Sequence, residues 1–153
     1  YSGLCASGAI RPFPAAASVI TRLHRRDLSL AIASGSYESD IRTILASCGL
    51  DRYFEAIVGK DNVERWKPHP ETYLAAAAKL GVPPGRCLAV EDAEKGLRSA
   101  RGARMRVILI ETEITRQLGI AGADLALDGL AEFDALLAAL EETGAGGVTG
   151  RCS

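Results

Sequence analysis

The sequence predicts an α/β domain built on a doubly wound parallel sheet, and three observations carry that prediction. Short apolar runs recur along the chain, at residues 28–34, 54–58, 87–90 and 106–110. Between them lie stretches whose apolar residues repeat at helical spacing. The runs themselves are continuous rather than alternating, as expected of strands covered on both faces by helices. With 153 residues, 48% of them hydrophobic, the chain suffices for one packed domain and is too short for two.

Each element follows from its residues. Over residues 14–26, Ala16, Val19, Ile20 and Leu23 mark one helical face, Pro14 suits the first turn, and Arg25 and Arg26 sit where the helix dipole favours cations. "LSLAIAS" then reads as a buried strand closed by Gly35 and Ser36. Ile41, Ile44, Leu45 and Cys48 define the next helix, which Gly49 stops. "FEAIV" is a short strand, and residues 70–80 form a helix ended by Gly81 and the Pro83-Pro84 pair. "CLAV" is a strand, residues 92–101 a helix, "RVILI" and the weaker "ADLAL" further strands. Residues 131–142 make a last helix with Phe133, Leu136, Leu137 and Leu140 on its apolar face. The core domain is therefore expected over residues 11–142. Residues 1–10 show no periodicity and read as an irregular N-terminal remnant, and the glycine-rich residues 143–153 read as a disordered tail. No internal repeat interrupts this order.

Composition excludes several function classes. Eighteen Lys and Arg against nineteen Asp and Glu give a net charge of -1, which offers nucleic acid or an anionic membrane no electrostatic attraction. Small solutes are the expected partners. No apolar run approaches the ~18 residues of a membrane span, and no basic-then-apolar leader opens the sequence, so a cytoplasmic location is expected. Cys5, Cys48, Cys87 and Cys152 form no CxxC pair; Cys48 and Cys87 fall on apolar faces and read as buried thiols. His24 and His69 read as helix-end or exposed residues, since a metal site needs convergent ligands.

In an open parallel sheet ligands bind beyond the carboxyl ends of the strands, where loops and helix N-termini gather. Three such ends carry chemistry. Ser34 and Gly35 offer a hydroxyl and a flexible backbone beside a new helix, half of a phosphate cradle; alone, Ser34 would read as a helix cap. Lys67, between Trp66 and Pro68, is a point cation in a segment that prolines keep extended. Glu91 and Asp92 end a buried strand with two adjacent carboxylates, a costly pairing unless a cation or strong donor meets them. Hard oxygens of this kind are what Mg2+ takes. Ser34, Lys67 and Asp92 are expected around one cleft at the carboxyl edge of the sheet.

These residues, in this order, resemble the haloacid dehalogenase (HAD) superfamily, in particular its β-phosphoglucomutase and phosphoglycolate phosphatase-like branch. The likeness spans roughly residues 11–140. "RPFPAAASVITRLHRRDLSLAIASGS" resembles the approach to the family's second motif, and "DNVERWKPHPETYLAAAAKLGVPPGRCLAVEDAEKGLRSARGARMRVI" its third and fourth. The resemblance implies a Rossmann-like core in which Ser34 and Lys67 act in catalysis, Ser34, Gly35 and Lys67 hold phosphate, and Asp92 with Glu91 binds Mg2+. It implies a small phosphorylated metabolite as substrate and an aspartyl-phosphate intermediate. The family's first motif, an Asp-x-Asp on a central strand, has no counterpart here: residues 1–33 contain only Asp27. The helical cap is missing too.

The expectation is thus the C-terminal core portion of a Mg2+-dependent phosphatase or phosphomutase whose nucleophile lies upstream. The alternative is a non-catalytic domain of the same fold that binds a phosphorylated ligand or a protein partner. Two departures from the family pattern stand out, Trp66 in place of a small Gly and Gly35 in place of Asn or Thr. Without the first-motif strand, the strand before Ser34 and the strand before Asp92 either close on each other or leave a slot between them.

Overall fold

The computed structural model describes residues 14–144. The expected remnant at residues 1–10, Cys5, Cys152 and the tail from residue 145 lie outside the described residues. Helices and parallel strands alternate as α1 Pro14–His24, β1 Ala31–Ala33, α2 Glu38–Ser47, β2 Ala56–Val58, α3 Glu71–Leu80, β3 Leu88–Glu91, α4 Glu94–Gly102, β4 Arg106–Ile110, α5 Glu113–Leu118, β5 Leu125–Leu127 and α6 Leu130–Gly144. The class is α/β, with every strand pair parallel.

The strands fall into two groups, β1-β2 and β3-β4-β5. Ile32 pairs with Ile57 in the first, and Val90 with Ile108 in the second. Successive side chains point to opposite faces, and helices pack on both, apart from the β3 face that carries Leu88 and Val90. Ile32 and Ile57 pack with Ile41 and Leu45 of α2 and Ala17 and Ile20 of α1. Ile108, Ile110 and Leu127 pack with Val19 of α1 and Phe133 and Leu137 of α6. On the opposite face Ala89 and Val107 meet Tyr73 and Ala77 of α3 and Leu97 and Ala100 of α4, with Ala33 of β1 against the same cluster. The doubly wound arrangement follows from this two-sided burial.

Among the described residues β1 and β3 do not pair, so each keeps one unpaired edge. The strands have not closed on each other. Leu88 is 51% and Val90 40% exposed, so this side of β3 meets water, whereas Val107 and Leu109 in the middle of the three-stranded group are fully buried.

Three glycines at positive φ end helices or turns where a Cβ would be strained, Gly49, Gly81 and Gly119. Cys48 and Cys87 are half-buried rather than enclosed; burial raises the Cys87 thiol above its ordinary pKa.

Candidate active site at the carboxyl edge of the strands

β1 delivers Ser34 in extended register, for its N–H still reaches Val58 O at 2.9 Å. The chain then turns, and Ser36 N donates to Ser34 Oγ at 3.1 Å, a local hydroxyl-to-backbone bond that holds the loop open ahead of α2. Gly59, at the end of β2, allows this loop to come close: a Cβ there would meet Glu38 N at 2.5 Å and Ser36 O at 2.8 Å. Gly35 is exposed, with open space where a Cβ would be.

Lys67 arrives from the loop between β2 and α3. Its ammonium donates to Ala33 O at 3.1 Å and to the carboxylate of Glu91, and so spans the carboxyl ends of β1 and β3 where no strand pairing joins them. The side chain is 16% exposed. The loop is fastened at several points. Ser99 Oγ, fully buried on α4, donates to His69 O at 2.6 Å. The Glu71 carboxylate accepts from Glu64 N at 2.8 Å and from Arg65 N and Nε at 3.2 Å. These bonds, first that from Glu64 N, lower the Glu71 pKa. His69 Nδ1 accepts from Glu71 N at 3.3 Å, a helix-end role. Trp66 points outward instead of into the cleft: it is 63% exposed and donates Nε1 to Lys60 O at 3.1 Å.

Glu91 is the last residue of β3, and Asp92 follows it in the turn before α4. Their environments differ. Glu91 has a side chain only 9% exposed and accepts from Lys67 and from the Tyr73 hydroxyl. Asp92 is exposed and helps to raise the Tyr73 pKa electrostatically. The helix N-cap is Ala93, so Asp92 is not spent on capping.

The structure therefore brings Ser34, Lys67, Glu91 and Asp92 to one edge. Tyr73 joins them, and sequence reasoning missed it. Its ring is buried on α3 with Thr72, Ala76 and Ala77, and its phenol hydroxyl was the available signal, since a buried Tyr O–H needs a partner. Burial, and then the negative charge of Glu91, push that hydroxyl above its ordinary pKa of 10.0, so it remains a proton donor. Asp27, the acid that precedes Ser34, sits in a turn at positive φ before β1 begins, at the opposite end of that strand.

The model of the haloacid dehalogenase-like hydrolases matches residues 4–104. The chain belongs to the haloacid dehalogenase-like hydrolase family. Among its relatives, protein CbbY of Rhodobacter capsulatus is 39% identical over 127 residues, which cover 81% of this chain and 56% of that protein. Fructose-1-phosphate phosphatase YqaB of Escherichia coli (strain K12) is 36% identical over 99 residues, 65% of this chain and 52% of that protein. The crystal structure of CbbY from Rhodobacter sphaeroides in complex with phosphate superposes with a TM-score of 0.79 at 35% identity, over 86% of this chain and 60% of that one. The chain thus spans a little over half the length of these HAD-like relatives.

Proposed function

We propose that this HAD-like chain is the core portion of a Mg2+-dependent phosphatase or phosphomutase acting on a small phosphorylated metabolite in the cytoplasm. The observation that carries the reading is the Lys67 ammonium, joined to Ala33 O and Glu91, with Ser34 and Asp92 next in sequence to those partners. A phosphoryl group beside Lys67 would have its charge neutralised by the ammonium and would take hydrogen bonds from the Ser34 hydroxyl and the Gly35 backbone. The relatives with sugar-phosphate names favour a phosphorylated sugar or polyol.

The nucleophile is proposed to be an aspartate supplied upstream of this chain. Its carboxylate oxygen bonds to phosphorus as the ester P–O bond breaks and the alcohol leaves; water, or a second hydroxyl, then takes the phosphoryl group from the aspartyl-phosphate. Glu91 and Asp92 suit Mg2+ by chemistry, being hard oxygen donors. Together they supply part of a shell of about six oxygens, and among the described residues no group of three or more His, Cys, Asp or Glu side chains gathers. When bound, Mg2+ would neutralise phosphoryl charge at this edge.

The test is phosphate release from a panel of sugar phosphates by the protein as its gene encodes it. EDTA should abolish turnover, Asp92→Asn should remove Mg2+ binding in calorimetry, and Lys67→Ala should lower kcat by about 100- to 1,000-fold. Full turnover in EDTA would overturn the reading. The alternative, a non-catalytic domain of the same fold, would be favoured by an in-frame start codon immediately before Tyr1 together with phosphate-ester binding and no release.

A further inference from the structure

Glu91 ends a strand on a flexible side chain that could take several rotamers, yet its surroundings leave it one place. Lys67 Nζ and Tyr73 Oη both donate to the same oxygen, Oε1. Among the described residues no donor reaches Oε2. On the other side the carboxylate lies against the bare Cα of Gly96 in α4, where any Cβ would overlap it. Tyr73 is itself immobilised, 7% exposed in a cluster with Ala77, Ala89, Leu97 and Ala100, and Lys67 Nζ stands 4.7 Å from its ring centroid.

We propose that Tyr73 and Gly96 are positioning residues for Glu91: the hydroxyl commits Oε1 to the protein, the missing side chain makes room for the carboxylate, and Oε2, which no described donor engages, is left for a divalent cation. The inference rests on the phosphatase reading and deepens it. An ionised carboxylate has about four acceptor sites on two oxygens. Gathering two protein donors on one oxygen leaves the other uncompensated, which is the state a cation selects. The rotamer freedom of Glu91 is then lost on folding rather than on binding, which strengthens the bound state. Outer partners of a metal ligand act in this way, by aiming it. A hydroxyl that merely satisfied its own burial would leave cation affinity unaffected.

The experiment uses the protein as its gene encodes it, with Tyr73→Phe and Gly96→Ala made singly and in a Glu91→Gln background. Metal-free crystal structures report the position of residue 91, calorimetric titration with Mn2+ reports affinity, and thermal unfolding reports fold. In both single variants the Glu91 carboxylate should leave its place and the Mn2+ dissociation constant should rise about tenfold, while kcat at saturating Mg2+ falls less. In the Glu91→Gln background neither substitution should change affinity further. Gly96→Ala carries the test if Tyr73→Phe fails to fold, because the group it displaces is the end of a flexible side chain and not backbone. Unchanged Mn2+ affinity in both variants, or an equal loss with and without Glu91→Gln, overturns the positioning role alone. A wild-type protein that binds no Mn2+ overturns the phosphatase reading, and the cation role with it.

Discussion

Lys67 is kept in place by residues that never touch its ammonium. The Ser99 hydroxyl is fully buried and holds the loop through His69 O at 2.6 Å. Ser99→Ala leaves that carbonyl without its donor, so urea unfolding should show a loss of about 1–3 kcal/mol, and turnover should fall with it as Lys67 loosens. Glu71 fastens the other side of the loop through the N–H groups of Glu64 and Arg65. Its pKa is lowered in the fold from the ordinary 4.5, chiefly by the bond from Glu64 N. A carboxyl with a depressed folded pKa contributes stability that is present above its unfolded value and is lost as pH falls through the folded one. The amide resonances of Glu64 and Arg65 should therefore hold steady above about pH 4.5 and move together only in more acid solution. In Glu71→Gln they should not show this titration. A transition of those amides near neutral pH would contradict the assignment.

At the scale of elements, the edges of β1 and β3 that no described strand pairs make a specific claim about hydrogen exchange. A strand with one neighbour bonds only alternate residues through its N–H groups, while a strand between two neighbours bonds them all. Amides along Leu88–Glu91 should thus alternate between fast and slow exchange, whereas those of Val107, Ile108 and Leu109 in β4 should all be slow. Uniform protection along β3 would show that something pairs with its second edge. The same elements explain how far the sequence was readable. Ser34, Lys67 and the Glu91-Asp92 pair stood out because each follows an apolar run or interrupts a proline-framed loop, which are local signals. Residues 28–34 read as a strand but only Ala31–Ala33 forms one, since Leu28, 49% exposed, finds no partner to extend the ladder. Helix α5 lacks a buried apolar face, since Ile114 and Leu118 are 70% and 67% exposed; a Thr112–Thr115 capping box starts it and Gly119 ends it. Tyr73 and Gly96 were silent for a different reason. Their meaning arises only when α3 and α4 approach the end of β3, a tertiary event with no local trace.

For the whole molecule, the division into β1-β2 and β3-β4-β5 determines what holds the domain together. Tyr73, Ala77, Leu97 and Ala100 pack over both groups from one face, and α1 reaches both from the other through Val19 and Ile20. Among the described residues, helices and the Lys67 bridge, not strand pairing, connect the halves. Parallel neighbours stand ~4.8 Å apart, so a slot for one strand between β1 and β3 would lie open to either water or another segment. Buried orphan N–H and C=O groups along such a slot would each cost ~1–3 kcal/mol. Water that reached the β3 edge would remove most of that penalty, but the exposure of Leu88 and Val90 on one face of β3 adds a different one. Two large apolar side chains stay about half exposed, forgoing part of the roughly 1.5–3 kcal/mol that full burial of each would give, and parallel edges left bare invite pairing with other chains. Against a typical domain stability of ~5–15 kcal/mol, that loss makes the 153-residue chain marginal by itself. Purified alone, it should unfold at low urea with a shallow transition and associate at high concentration. A peptide that carries the upstream strand should raise the urea midpoint and suppress association. A steep transition at the stability of an ordinary domain, from a monomer whose β1 and β3 remain unpaired, would refute this account.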